Sequence, residues 1–122
     1  MRTVTVLVVD DEQQVRRLAE VILQAAGYLV YTAASAADAL VLANQLKCRL
    51  NLLLTDMIMP GMDGHELILA IRRICPYMDT VLMSGAFVPD DARFKNYGIL
   101  PKPFTMNQLL DTVKEALGGQ IT

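Results

Sequence analysis

Six consecutive residues near the N-terminus, Val4-Thr5-Val6-Leu7-Val8-Val9, are apolar or β-branched and leave no polar face. A strand of this kind needs cover on both sides, which points to a parallel sheet between layers of helices. The run ends at three acids, Asp10-Asp11-Glu12. Comparable strand-length runs follow at residues 28–32, 50–55 and 80–83, with a two-residue stub at 99–100. Segments of helical spacing separate them. Val15, Leu18, Ala19 and Ile22 fall on one face of a first helix, which Gly27 stops. Ser35-x-x-Asp38 opens a second helix, residues 35–46, in the manner of a capping box with Asp in place of Glu. Leu67, Ala70, Ile71 and Ile74 mark a third, residues 63–74, with Pro76 behind it. Residues 89–96 form a weak, short candidate. Thr105-x-x-Gln108 opens a last helix carrying Leu109, Leu110, Val113, Ala116 and Leu117, and Gly118-Gly119 closes it. Five strands alternating with five helices make one α/β domain over residues 1–122, a doubly wound parallel sheet. Right-handed crossovers leave few topologies, and ligands bind such sheets beyond the carboxyl ends of the strands.

Composition narrows the function classes. Hydrophobic residues are 53% and charged residues 20% of the chain, a globular balance and not a disordered one. The formal net charge is −2 and the 11 basic residues are scattered, so a nucleic-acid surface is not expected. Cys48 and Cys75 lack metal-ligand spacing and read as reduced thiols. The first apolar run is too short and wrongly flanked for a signal peptide, and no stretch approaches the roughly 18 apolar residues of a membrane span. A cytoplasmic domain without membrane contact is the expectation.

The polar residues at the strand ends carry the chemistry. Asp10 and Asp11 follow the first strand, Asp56 the third, Ser84 the fourth and Lys102 the fifth. A parallel sheet brings all of them to one edge. Carboxylates crowded there repel one another unless a lysine ammonium or a hard divalent cation joins them. Mg²⁺ is commonly held by one or two carboxylates together with phosphate and water. An aspartate accepts a phosphoryl group through a carboxylate oxygen, and a metal, a lysine and a hydroxyl neutralise the transferred charge.

The stretch Asp56-Met57-Ile58-Met59-Pro60-Gly61-Met62-Asp63-Gly64 resembles the phosphoacceptor loop of bacterial response regulator receiver domains. Asp10-Asp11, Ser84-Gly85-Ala86 and Lys102-Pro103-Phe104 resemble the same family's other motifs, in the same order, and the similarity covers essentially the whole chain. The resemblance implies a single receiver domain with a flavodoxin-like three-layer sandwich of strand order 2-1-3-4-5. It implies that Asp56 is the phosphoacceptor, that Ser84 hydrogen-bonds the phosphoryl group, and that Lys102 pairs with it. Asp10, Asp11, Asp56 and the backbone carbonyl of Ile58 would hold Mg²⁺, Gly85 would leave room beside the acceptor, and the Lys102-Pro103 bond would be cis. The donor would be a phosphohistidine on a histidine kinase or histidine phosphotransfer protein. Such a domain catalyses its own aspartyl phosphorylation and is not a metabolic enzyme.

Two departures from the family stand out. The position three before the lysine, usually an aromatic switch, is Ile99, with Tyr97 nearby but out of register. Only 17 residues separate Ser84 from Lys102, short by about one helical turn, so the fourth helix should be short or irregular. That trimming resembles receivers attached to hybrid sensor kinases. Ile58 and Ala86 stand where the family often has polar side chains that orient water, which predicts slow self-dephosphorylation. Asp63 is expected to cap the third helix, Glu12 to be solvated, and His65 to lie on the surface away from the acceptor. The alternative function is a degenerate receiver acting as a phosphorylation-independent docking module. An aspartyl-phosphate hydrolase would need a second Asp where Ile58 stands.

Overall fold

The structure is a computed structural model, and it describes residues 3–85 and 97–118. Five strands, β1 (Thr5–Val9), β2 (Leu29–Ala33), β3 (Leu52–Asp56), β4 (Asp79–Ser84) and β5 (Gly98–Pro101), form one sheet. All neighbours are parallel and the order is β2-β1-β3-β4-β5. The described residues hold four α-helices, α1 (Gln13–Ala25), α2 (Ala36–Leu46), α3 (Gly64–Arg72) and α4 (Met106–Ala116). The doubly wound, flavodoxin-like expectation is met. The candidate helix at 89–96 lies outside the described residues, as do Ala86 and Gly119.

Strand periodicity divides the interior into two cores. Leu7, Val9, Leu53 and Leu82 face α2 and α3, together with Ala39, Ala43, Leu67, Ile68 and Ile71. Val6, Val8, Leu52, Leu54, Val81, Met83 and Leu100 face α1 and α4, together with Ala19, Leu23, Leu109 and Val113. Successive residues point to opposite faces. A run such as Leu52-Leu53-Leu54 therefore supplies both layers, and this is why β1 and β3 carry no polar alternation.

Helix ends follow the local chemistry. Asp63 caps α3 with a reciprocal Glu66 bond, and Thr105 and Gln108 do the same for α4. Ser35 accepts from the Asp38 backbone at α2, and Asp38 does not return the bond. Gly27 and Gly118 take positive φ, of 98° and 100°, as the helix stops require. The third strand begins at Leu52 and not Leu50. Residues Lys47–Arg49 form a 3₁₀ turn, and Asn51 is spent on the first strand: its Oδ1 accepts from Thr5 N at 2.8 Å. The fifth strand is longer than the expected stub, because Gly98 and Pro101 pair with Val81 and Ser84. The third helix ends at Arg72, two residues before its expected end, where the chain turns ahead of Pro76. The Cys75 thiol is buried and donates to the Lys47 carbonyl. Among the described residues no helix is long and apolar enough to cross a membrane.

Candidate phosphoacceptor site

Periodicity also builds the site. Two residues beyond Val8, Leu54 and Leu100 on one sheet face stand Asp10, Asp56 and Lys102. Val9 pairs with Thr55, so Asp10 and Asp56 follow side by side, and Asp56 is level with Met83 and Leu100. Lys102 stands two residues beyond that level, and its long side chain returns to the two acids. β1 lies between β2 and β3, so strand order reverses beside the ends that carry Asp10 and Asp56.

Lys102 joins the carboxylates. Its Nζ lies 2.8 Å from Asp10 Oδ2, 3.4 Å from Asp56 Oδ2 and 3.4 Å from Glu12 Oε1. Asp10 is fully buried, Asp56 is 8% exposed, and Asp11 is exposed. Asp10 Oδ1 accepts from Glu12 N at 2.9 Å, a local turn that aims the carboxylate inward. Asp56 Oδ1 receives a long contact from Ile58 N, at 3.5 Å. Burial, then the Asp10 charge, pushes the Asp56 pKa above its ordinary value, with Lys102 and the Ile58 N–H pulling it back. Burial would lower the Lys102 pKa, but its contact with Asp10 and the charges of Asp10 and Asp56 outweigh that and raise it. The lysine is therefore a firm cation and Asp56 a carboxylate held at an energetic cost.

The residues fit a hard cation. Asp10, Asp11 and Asp56 each offer an oxygen within 4.8 Å of the others. Asp10 Oδ2 is buried, and among the described residues its near neighbour is the Lys102 ammonium at 2.8 Å. Three carboxylate oxygens gathered in this way are a donor set that Mg²⁺ or Ca²⁺ takes. Asp56 opens onto a cleft of about 260 Å³ lined also by Glu12, Met57, Ile58, Ser84, Gly85 and Lys102.

The structure places the remaining sequence-predicted residues at this cleft. Ser84 is buried at the end of β4, and its carbonyl accepts from Lys102 N at 2.8 Å, tying the ends of β4 and β5 together. Gly85 is exposed, with Lys102 Cβ the nearest atom a side chain there would meet, at 3.9 Å. The Lys102-Pro103 bond is cis. Ile58 exposes 68% of its surface at the rim. Glu12 is largely solvated, as expected, with its side chain 65% exposed, and it also reaches Lys102 at 3.4 Å. One expectation needs correction. His65 is half-buried and in contact with Tyr97, because the α3 stripe that carries it faces the β5 edge. Tyr97 precedes β5 and does not occupy the position three before Lys102, where Ile99 stands, yet both side chains pack on the α2–α3 side of the sheet. Arg16 was missed altogether. Its Nη1 donates to the Asp10 carbonyl at 2.8 Å, fixing the strand end that carries the metal-competent acid. A long cation one turn into a helix that follows an acidic strand end was the available signal, since such side chains lean toward the helix start.

Comparison with known proteins agrees with this geometry. Residues 6–114 match the family described as the response regulator receiver domain. The sensor kinase CckA of Brucella abortus is 41% identical over 123 residues, covering 95% of this chain and 13% of that protein. Sporulation initiation phosphotransferase F of Bacillus subtilis is 32% identical, covering 92% of each. Among solved structures, the receiver domain of the hybrid histidine kinase CckA superposes with a TM-score of 0.81 at 34% identity, over 93% of this chain and 98% of that one. The chemotaxis protein CheY4 of Vibrio cholerae gives 0.85 at 30% identity, over 94% and 99%.

Proposed function

The chain belongs to the response regulator receiver domain family of two-component signalling, and from that premise we propose that Asp56 takes a phosphoryl group from a phosphohistidine and thereby switches a protein contact surface. The observation that carries this reading is the geometry: Lys102 Nζ lies 3.4 Å from the buried Asp56 carboxylate and 2.8 Å from Asp10, beside a cation-competent acid cluster.

The transfer breaks the phosphorus–nitrogen bond of the donor imidazole and forms a phosphorus–oxygen bond to the Asp56 carboxylate. The imidazole leaves with the bonding pair and takes a proton from solvent. Lys102 is within reach of Asp56 and supplies positive charge as the phosphoryl oxygens approach, where partial dehydration magnifies it. The Ser84 hydroxyl, at the facing strand end, donates to a phosphoryl oxygen. Asp10, Asp11, Asp56 and the Ile58 carbonyl would hold Mg²⁺, which when bound would supply positive charge to the transferred group. Phosphorylation also replaces a carboxylate that the fold disfavours. The chain acts once per phosphoryl group and turns over no free metabolite, as a cytoplasmic switch without nucleic-acid or membrane contact.

The donor has a natural seat. A groove of about 290 Å³, lined by Glu12, Val15, Leu18, Lys102, Pro103 and Phe104, adjoins the cleft and shares Glu12 and Lys102 with it. Leu18 and Val21 of α1 are about half exposed on the same side. A helix of a histidine kinase or histidine phosphotransfer protein seated there brings its phosphohistidine to Asp56. The direct test is incubation with Mg²⁺ and acetyl phosphate or phosphoramidate, read by intact mass. A phosphoryl adduct on wild type that is absent from Asp56→Asn is expected. Absence of the adduct from wild type would overturn the reading and favour a phosphorylation-independent docking module.

A further inference from the structure

Tyr97 lies just ahead of β5 and packs with Ile99 on the α3 side of the sheet. Two residues of α3 hold its ring. The Tyr97 hydroxyl and His65 Nδ1 are in hydrogen-bond contact at 3.1 Å, with ring centroids 5.8 Å apart. The Arg72 guanidinium carbon lies 5.4 Å from the Tyr97 ring centroid, and Arg72 Nη2 also donates to Thr80 Oγ1 at 3.5 Å. His65 is in the first turn of α3 and Arg72 is its last residue, about two turns on, so both fall on one stripe.

The same first turn is locked to the acceptor. Gly64 N donates to the Met57 carbonyl at 2.8 Å. A side chain on Gly64 would overlap the Asp56 carbonyl oxygen and stand 2.9 Å from Leu82 Cδ2. No slack separates the acceptor strand end from the start of α3. A displacement of the loop after Asp56 therefore moves His65, and packed contacts of this sort change between discrete arrangements. Ile99, an aliphatic side chain, has no polar group to report that motion, whereas Tyr97 has one.

We propose that His65 and Tyr97 form a clasp, closed while Asp56 is unmodified and released when it is phosphorylated, which makes Tyr97 the positioning residue that carries the state of the cleft to the β5 edge. This rests on the phosphoacceptor reading above. A bond made only in the unmodified state resists phosphorylation, so its removal favours the phosphorylated form.

The test is nitrogen NMR of ¹⁵N-labelled protein titrated with beryllofluoride and Mg²⁺. In wild type, the Met57 amide reports filling of the cleft, and the His65 ring nitrogens should move toward their positions in unliganded Tyr97→Phe. In Tyr97→Phe the Met57 amide should still respond while the His65 nitrogens no longer do. The beryllofluoride midpoint should fall by about two- to tenfold, the worth of one hydrogen bond. His65→Phe should give a similar fall, and the double variant no more than either single one. The clasp is overturned if Met57 responds in wild type while the His65 nitrogens stay in place, or if the two substitutions act additively. A silent Met57 amide would instead remove the phosphoacceptor reading, and the clasp with it.

Discussion

Replacing Lys102 by Met removes the cation that joins the buried acids. At an effective dielectric constant of about 20, its attractions to Asp10 at 2.8 Å and Asp56 at 3.4 Å are about 6 and about 5 kcal/mol. Desolvation of the ions offsets much of this, and the net loss on removing one partner of such a group is about 3–5 kcal/mol. For a chain of this length that is a fall in Tm of roughly 12–20 °C. The pH dependence follows from the directions of the shifts. The Lys102 pKa is raised, so its contribution is fully present below the ordinary lysine value and is lost as pH rises through the folded value. The Asp56 pKa is also raised, so ionised Asp56 costs stability, and that cost disappears as pH falls through the raised value. The gap between wild type and Lys102→Met should thus be widest around neutrality and should narrow in acid, where Asp56 protonates. Mg²⁺ should restore about 2–3 kcal/mol to the variant at a hundredfold excess over its dissociation constant, and less to wild type at the same concentration, because Lys102 competes for the same oxygens. Urea unfolding at neutral and mildly acid pH, with Mg²⁺ or with chelator, measures all of this. A loss under about 1 kcal/mol at neutrality, or equal Mg²⁺ effects on the two proteins, would refute the electrostatic account.

Other consequences are local. Arg16→Met leaves the Asp10 carbonyl without its 2.8 Å donor and should cost about 1–3 kcal/mol in unfolding while weakening Mg²⁺ binding severalfold by calorimetry. Leu18→Asp should slow transfer from a phosphohistidine protein at least tenfold and leave phosphorylation by acetyl phosphate unchanged, since Leu18 lines the groove and not the cleft. Phosphorylated Asp56 should persist for minutes or longer in Mg²⁺, because the exposed Ile58 side chain at the rim orients no water, and decay within seconds would contradict this.

The local pattern of the chain determined a great deal. The β-branched runs, the cap residues Asp63 and Thr105 and the stops at Gly27 and Gly118 are decided within a few residues, and the elements formed where those signals stand. Strand periodicity even set Asp10, Asp56 and Lys102 on one sheet face, since each lies two residues past an apolar residue of the same core. Strand starts were less legible, because Asn51 reads as part of an apolar run until its bond to Thr5 is seen. Lys102 and Glu12 are 90 residues apart, and Tyr97 and His65 are 32 apart. Those pairings depend on which strand lies beside which, on the hand of every crossover and on the stripe that α3 turns toward β5. No window of sequence holds that information, because a contact between distant residues exists only once the layers between them have packed. The chemistry of the site was therefore written in residue types at strand ends, and the sharing of one lysine among three carboxylates, like the joining of His65 to Tyr97, was decided by the tertiary fold.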